Sequence, residues 1–114
     1  MPKKHGSHTQ ALRRIARIRK RIHAIDYVCS GTLMHRTKCC GKPSCRCARD
    51  VAERHGPYHE WSRRQEGRLL HAVLPAHQAA LVEHAIANYR KILRLLCAWE
   101  AETARVIQTQ NKRN

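Results

Sequence analysis

The chain contains no phenylalanine, and only two tryptophans and three tyrosines stand among its 114 residues. The length fits one domain with a modest core, and little large aromatic surface is available to fill it. Acids are also scarce: 8 Asp+Glu stand against 23 Lys+Arg, a formal charge of +15 with the histidines neutral. Such an excess opposes compaction by self-repulsion and attracts polyanions, nucleic acid first and an anionic membrane surface second. No apolar run is long enough to span a bilayer. The opening "MPKKHGSHTQALRRIARIRKR" has the positive start of a signal peptide without its apolar centre, so a cytoplasmic location is expected. Thiols are kept reduced there, and the six cysteines therefore favour metal binding or catalysis over disulfides. The few carboxylates are scattered, with Asp50 and Glu53 a close pair but no acidic cluster, which argues against a magnesium-dependent nuclease.

Residues 1–7 read as a flexible basic tail, followed by a single domain over 8–108 and a second tail over 109–114. Within the domain, a basic helix is expected over 8–28, capped by Ser7 or Thr9. Leu12, Ile15, Ile18, Ile22 and Ile25 recur at spacings of three and four, forming one apolar stripe. Arg13, Arg17 and Lys20 project from the opposite side, flanked by Arg14 and Arg21, and no acid appears before Asp26.

Residues 30–75 are expected to hold a metal and β-hairpin module. A short strand follows Gly31 and reaches the cysteines, and "YHEWSRR" and "RLLHAVL" pair through a turn containing Gly67. Pro75 ends the last strand. Residues 76–108 then form one long helical pattern without internal Gly or Pro. In it, Val82, Ala85, Tyr89, Ile92, Leu96, Trp99 and Val106 follow a seven-residue repeat, with Thr103 as the polar exception. That periodicity suits a coiled coil, or a long helix packed on the first helix and the sheet, and the two readings are compatible.

Zinc takes four thiolate or imidazole ligands in a tetrahedron, and four cysteines crowd into the nine residues from Cys39 to Cys47. Cys40, Cys45, Cys47 and His55 are the expected Cys3His set for Zn2+. Gly41 and Pro43 favour a turn between the first two thiols. Cys45 and Cys47 share a face of extended chain, and Gly56-Pro57 bends the chain after His55. Cys39 and His59 stand in reserve as substitute ligands, while Cys29 and Cys97, among apolar residues, read as small core side chains. A metal would staple the loops of a small, highly charged chain. Thiol catalysis needs one activated nucleophile, which leaves the other closely spaced cysteines unexplained.

"GTLMHRTKCCGKPSCRCA" followed by "HGPYHEWS" resembles an uncharacterised prokaryotic domain family. Its members carry Cys-Gly-Lys-Pro-x-Cys-x-Cys-Ala, then His-Gly-Pro-Tyr, then a hairpin and a long C-terminal helix, and its genes often lie in or near mobile elements. The resemblance covers roughly 31–99 and maps onto Cys40, Gly41, Lys42, Pro43, Cys45, Cys47, Ala48, His55, Gly56, Pro57 and Tyr58. The chain departs from the pattern at His59 and Glu60, where members tend to carry aromatic residues, and the first helix lies outside it.

The expected fold is therefore α+β: a basic N-terminal helix, a small antiparallel sheet with a Cys3His zinc site, and a long coiled-coil-like helix. The expected function is zinc-stabilised binding of nucleic acid, DNA or RNA, as an accessory or regulatory factor of a mobile element, rather than an enzyme. Its contacts would come from Arg13, Arg14, Arg17, Lys20 and Arg21 on the helix. Lys42, Arg46 and Arg49 beside the cysteines and Arg63 and Arg64 in the hairpin would add to them. The alternative is a protein-interaction module with a purely structural zinc site, pairing through the C-terminal helix with a partner helix or a second copy.

Overall fold

The structure, a computed structural model, describes residues 2–110, and the side chains of 7–110. Met1 and residues 111–114, parts of the two expected tails, lie outside the described residues. The element order is α1 (Pro2–His23), β1 (Thr32–Lys38), β2 (His55–Gln65), β3 (Arg68–Leu74) and α2 (Ala76–Thr109). Two single-turn 3-10 helices, Arg46–Ala48 and Val51–Glu53, lie in the loop between β1 and β2. The chain divides into two compact units. One combines α1 and the residues up to Tyr27 with the chain from Asn88 onward, and the other is Val28–Ala87.

The first unit is an antiparallel helical hairpin. His8 Nδ1 lies 3.0 Å from Thr109 Oγ1, Arg14 pairs with Glu102 at 3.6 Å, and Asn88 Nδ2 donates to Asp26 Oδ1 at 2.9 Å, so one helix rises as the other descends. Ala11 and Ile18 are buried and Ile15 and Ile22 half-buried, which puts the inner stripe of α1 on a spacing of three and four. Leu12 departs from the expected stripe. It is 48% exposed, and the fully buried Ala11 takes its place. On α2, Leu95 is buried while Tyr89 and Leu96 of the seven-residue repeat are exposed. A helix turns once every 3.6 residues, so a strict repeat of seven drifts around it and the seam passes to Leu95. Cys97, read as a core residue, is exposed.

The second unit is built on a three-stranded antiparallel sheet of order β1-β2-β3. A two-residue turn joins β2 to β3, with Glu66 at φ 53° and Gly67 at φ 78°, the left-handed pair that matches strand twist. Strand alternation puts Leu33, His35, His59, Trp61, Arg63, Leu70, Ala72 and Leu74 on one face. Ala79, Val82, Ala85 and Ile86 form the buried stripe at the start of α2. Residues 28–31 are held by the Cys29 N–H, which donates to Ala85 O at 3.3 Å, and by Trp61 Nε1, which donates to Ser30 O at 3.0 Å. Gly31, at φ 113°, has no room for a side chain: a Cβ there would collide with the carbonyl oxygen of Ser62.

Candidate metal centre

Strand pairing builds the site. Lys38, the last residue of β1, pairs with His55, the first of β2, across a register shift at Thr37. Cys39 and Cys40 therefore leave the sheet beside the His55 imidazole. The chain then doubles back through Gly41, at φ 85°, and a turn in which the Cys45 N–H donates to Lys42 O at 3.1 Å. Cys45 precedes the first 3-10 helix and Cys47 lies within it, so one tight turn presents both sulfurs. Asp50 accepts from the Ala52 N–H at 3.0 Å and caps the second turn. Gly56, at φ 120°, starts the return along β2 after His55. A Cβ on it would sit 2.8 Å from Arg36 O and 2.9 Å from Tyr58 N, so the approach of β2 to β1 here requires glycine.

These elements bring Cys40, Cys45, Cys47 and His55 together, with one donor atom from each lying within 4.8 Å of all the others. Cys45 Sγ is 3.3 Å from His55 Nε2, and Cys40 Sγ is 3.5 Å from Cys47 Sγ. The Cys40 N–H donates to Cys47 Sγ at 3.3 Å, which fixes that sulfur against the turn. Three thiols and an imidazole at this separation are compatible with one metal ion held tetrahedrally. Among the described residues this is the one group of three or more such donors close enough to hold a metal.

The thiols of the cluster also influence one another's protonation. The Cys47 backbone N–H and the thiols of Cys47 and Cys40 donate to Cys45 and lower its pKa. For Cys47, the Cys40 N–H favours the thiolate, but lost hydration and hydrogen bonds shared with Cys45, Cys39 and Cys40 prevail and push it up to about 12. Crowded thiols thus share protons among themselves, because adjacent negative charges repel. A bound dication reverses this balance and deprotonates its ligands.

Of the two reserve ligands, Cys39 lies close, with its Sγ 3.5 Å from Cys47 Sγ, although it falls outside the mutual set of four. His59 is directed elsewhere. It faces His35 across β1 and β2, with Nδ1 to Nδ1 at 2.6 Å, and His35 Nε2 lies 3.9 Å from Glu83. The sequence contained this imidazole pair only as two distant histidines, and the strand register that joins them was the missing information.

The basic residues divide by unit. On α1, Arg13, Arg14, Arg17, Lys20 and Arg21 are all exposed, with Arg14 also paired to Glu102. Beside the metal centre Lys42, Arg46 and Arg49 are exposed, and the two arginines share an open hollow with Ser44, Asp50 and Glu53. Arg64 is exposed, whereas Arg63 stacks over Trp61 at 4.1 Å from the ring centroid. On the opposite sheet face Lys38 pairs with Glu60 at 3.1 Å, with Arg36 3.8 Å away. The hydrogen bond from Lys38, then the charges of Lys38, Arg36 and His71, hold the Glu60 carboxyl below its ordinary range despite its lost hydration.

Among the described residues no helix is long and apolar enough to cross a membrane. No curated protein and no solved structure matches the chain. A family model described as "Domain of unknown function (DUF6788)" matches residues 8–83. The match takes in most of α1, which the sequence resemblance left outside, and closes within α2. Because it spans 76 of the 114 residues, including the metal centre and the hairpin, the chain belongs to this family of domains of unknown function.

Proposed function

We propose that the protein is a zinc-stabilised nucleic-acid-binding protein, with Zn2+ held by Cys40, Cys45, Cys47 and His55 and with α1 as the principal contact. The donor set supports zinc: thiolates with one imidazole in four-fold coordination suit a borderline-soft dication without geometric demands of its own. With zinc bound, these four protein donors would complete its coordination, a structural arrangement that would leave no open position for catalysis there. We accordingly read the chain as a binding protein and not an enzyme.

The observation that carries the nucleic-acid reading is the division of α1 into two faces. Its aliphatic stripe turns inward, while Arg13, Arg17 and Lys20 stay exposed at i, i+4 and i+7 with Arg14 and Arg21 beside them. An ordinary surface mixes signs of charge, whereas this ridge is of one sign and matches a phosphate backbone. Lys42, Arg46, Arg49 and Arg64 form a secondary basic surface on the second unit. It is the weaker candidate, since Asp50 and Glu53 share the hollow with Arg46 and Arg49, and Arg63 is engaged by Trp61. The mobile-element association implied by the sequence resemblance makes an accessory or regulatory factor the process we propose.

The test replaces Arg13, Arg14, Arg17, Lys20 and Arg21 together with glutamine and measures binding to unrelated DNA and RNA sequences at graded salt. Affinity should fall about equally for all sequences. The logarithmic salt slope should flatten by roughly 0.7 to 0.9 for each phosphate that is no longer neutralised. Helicity should survive, because glutamine is a comparable helix former. Unchanged affinity and slope would refute the role of α1.

The exposed apolar residues of the helical hairpin favour a second reading, a protein-interaction module. Leu96 and Ile107 are 44% and 67% exposed and line a groove with Trp99 and Thr103. Persistent self-association of nucleic-acid-free protein would support it.

A further inference from the structure

The metal centre contains more thiols than it needs. Cys39 Sγ and Cys40 Sγ each lie 3.5 Å from Cys47 Sγ, yet only Cys40 belongs to the set of four mutually close donors. Cys39 is exposed, and Cys47 is the buried member, 4% exposed. An exposed thiol outside the set of four thus touches the sulfur of its most enclosed member. We propose that Cys39 is an oxidation site that opens the metal centre by forming a disulfide with Cys47. This rests on the metal reading above and adds to it a regulated release.

The chemistry balances with hydrogen peroxide as the oxidant. The Cys39 sulfur attacks one peroxide oxygen, the O–O bond breaks, and a sulfenic acid and one water result. The Cys47 sulfur then attacks the Cys39 sulfur. An S–S bond forms, the S–O bond breaks, and the oxygen leaves as a second water with a proton from solvent. The two sulfurs need to close by roughly 1.5 Å to reach bonding distance, a movement within the reach of side-chain rotation. Once in the disulfide, Cys47 is no longer an anionic ligand, and only Cys40, Cys45 and His55 remain. Cys47 is also the sulfur that accepts the Cys40 N–H, so its removal from the site loosens both arms of the loop. A two-electron thiol reductant restores both thiols and the complete donor set.

The experiment uses full-length protein reconstituted with zinc, wild type and Cys39→Ser, exposed to graded hydrogen peroxide. A chromophoric chelator follows zinc release, and peptide mapping by mass spectrometry identifies the first cross-link. We expect equal zinc content in the two proteins, a Cys39–Cys47 link in the wild type, and several-fold slower release from Cys39→Ser. Equal release rates, or a first link joining two ligand cysteines, would overturn the proposal while leaving the metal reading intact. Reduced zinc content in Cys39→Ser would make Cys39 a ligand and overturn it as well. Zinc missing from both proteins would defeat the metal reading itself. Should Cys39→Ser fail to fold, the identity of the first wild-type cross-link decides alone.

Discussion

The helical hairpin and the cysteine-rich loop between β1 and β2 meet the same problem, holding a highly cationic chain together, with different materials. In the hairpin, Ala11, Ile18 and Leu95 are buried along facing helices and backbone hydrogen bonds are satisfied within each helix. In the loop between β1 and β2, Cys47 alone is buried among the described residues, and its neighbours Val51 and Ala52 are exposed. Apolar burial therefore stabilises the first region, whereas the second, whose two 3-10 turns bury little surface, carries instead a donor set compatible with a shared metal ion. The contrast shows why the cysteines crowd where they do: donors are dense where core is absent.

The strongest way to break this comparison is to remove the metal. Structural zinc binding contributes on the order of 10 kcal/mol in small metal-dependent domains. Cys45→Ser should therefore abolish stoichiometric zinc and expose the amides of 39–55 to hydrogen exchange. The helical circular dichroism of α1 and α2 should largely remain. Cys29→Ser, at a half-buried thiol outside the donor set, should retain zinc and cost far less. Comparable losses in the two variants would erase the distinction between regions.

The reciprocal test truncates the hairpin core. Leu95→Ala, at a position 5% exposed, should destabilise the helices by about 3 kcal/mol in denaturant unfolding. Zinc content should not change. Smaller in expectation is Gly56→Ala, at roughly 2 kcal/mol, from forcing a side chain into a left-handed backbone with no space for Cβ. It should weaken zinc binding as well, because Gly56 adjoins His55.

How well the sequence foretold these regions differs with the range of the interaction involved. The amphipathic pattern of α1, the two-residue turn at Glu66–Gly67 and the break at Pro75 are local, and they were legible from neighbouring residues. The helix start at Pro2 lies ahead of the expected Ser7. Its end at His23 comes before the expected residue 28: after a last turn, in which the Ile25 N–H donates to Ile22 O at 3.1 Å, residues 26 and 27 are held by Asn88. The inward shift from Leu96 to Leu95 was not legible, since it depends on what faces the helix.

Acidity supplies the smaller tests. Zinc must displace the proton on Cys47, whose pKa is pushed up to about 12. Zinc affinity should accordingly rise with pH and fall as the medium is acidified, with proton release measurable on metal addition. An affinity independent of pH would count against thiolate ligands. Glu60, whose folded pKa is lowered, contributes stability that is present above its unfolded pKa and lost as pH falls through the folded one. Glu60→Gln should remove that acid-dependent component without affecting zinc, the smallest effect expected.

By itself, the sequence determined the donor chemistry, the inward stripe and charged back of α1, the hairpin turn and the length of α2. Each is written in residue type and spacing within a few positions of the chain. Tertiary structure decided which donors meet. Pairing of Lys38 with His55 delivers Cys40 to the imidazole, while the same ladder turns His59 toward His35. It also placed Cys39 against Cys47 without admitting it to the set of four. Those outcomes depend on strand register, in which a slip of one residue exchanges the faces of every side chain, and register is set by contacts between segments far apart in sequence.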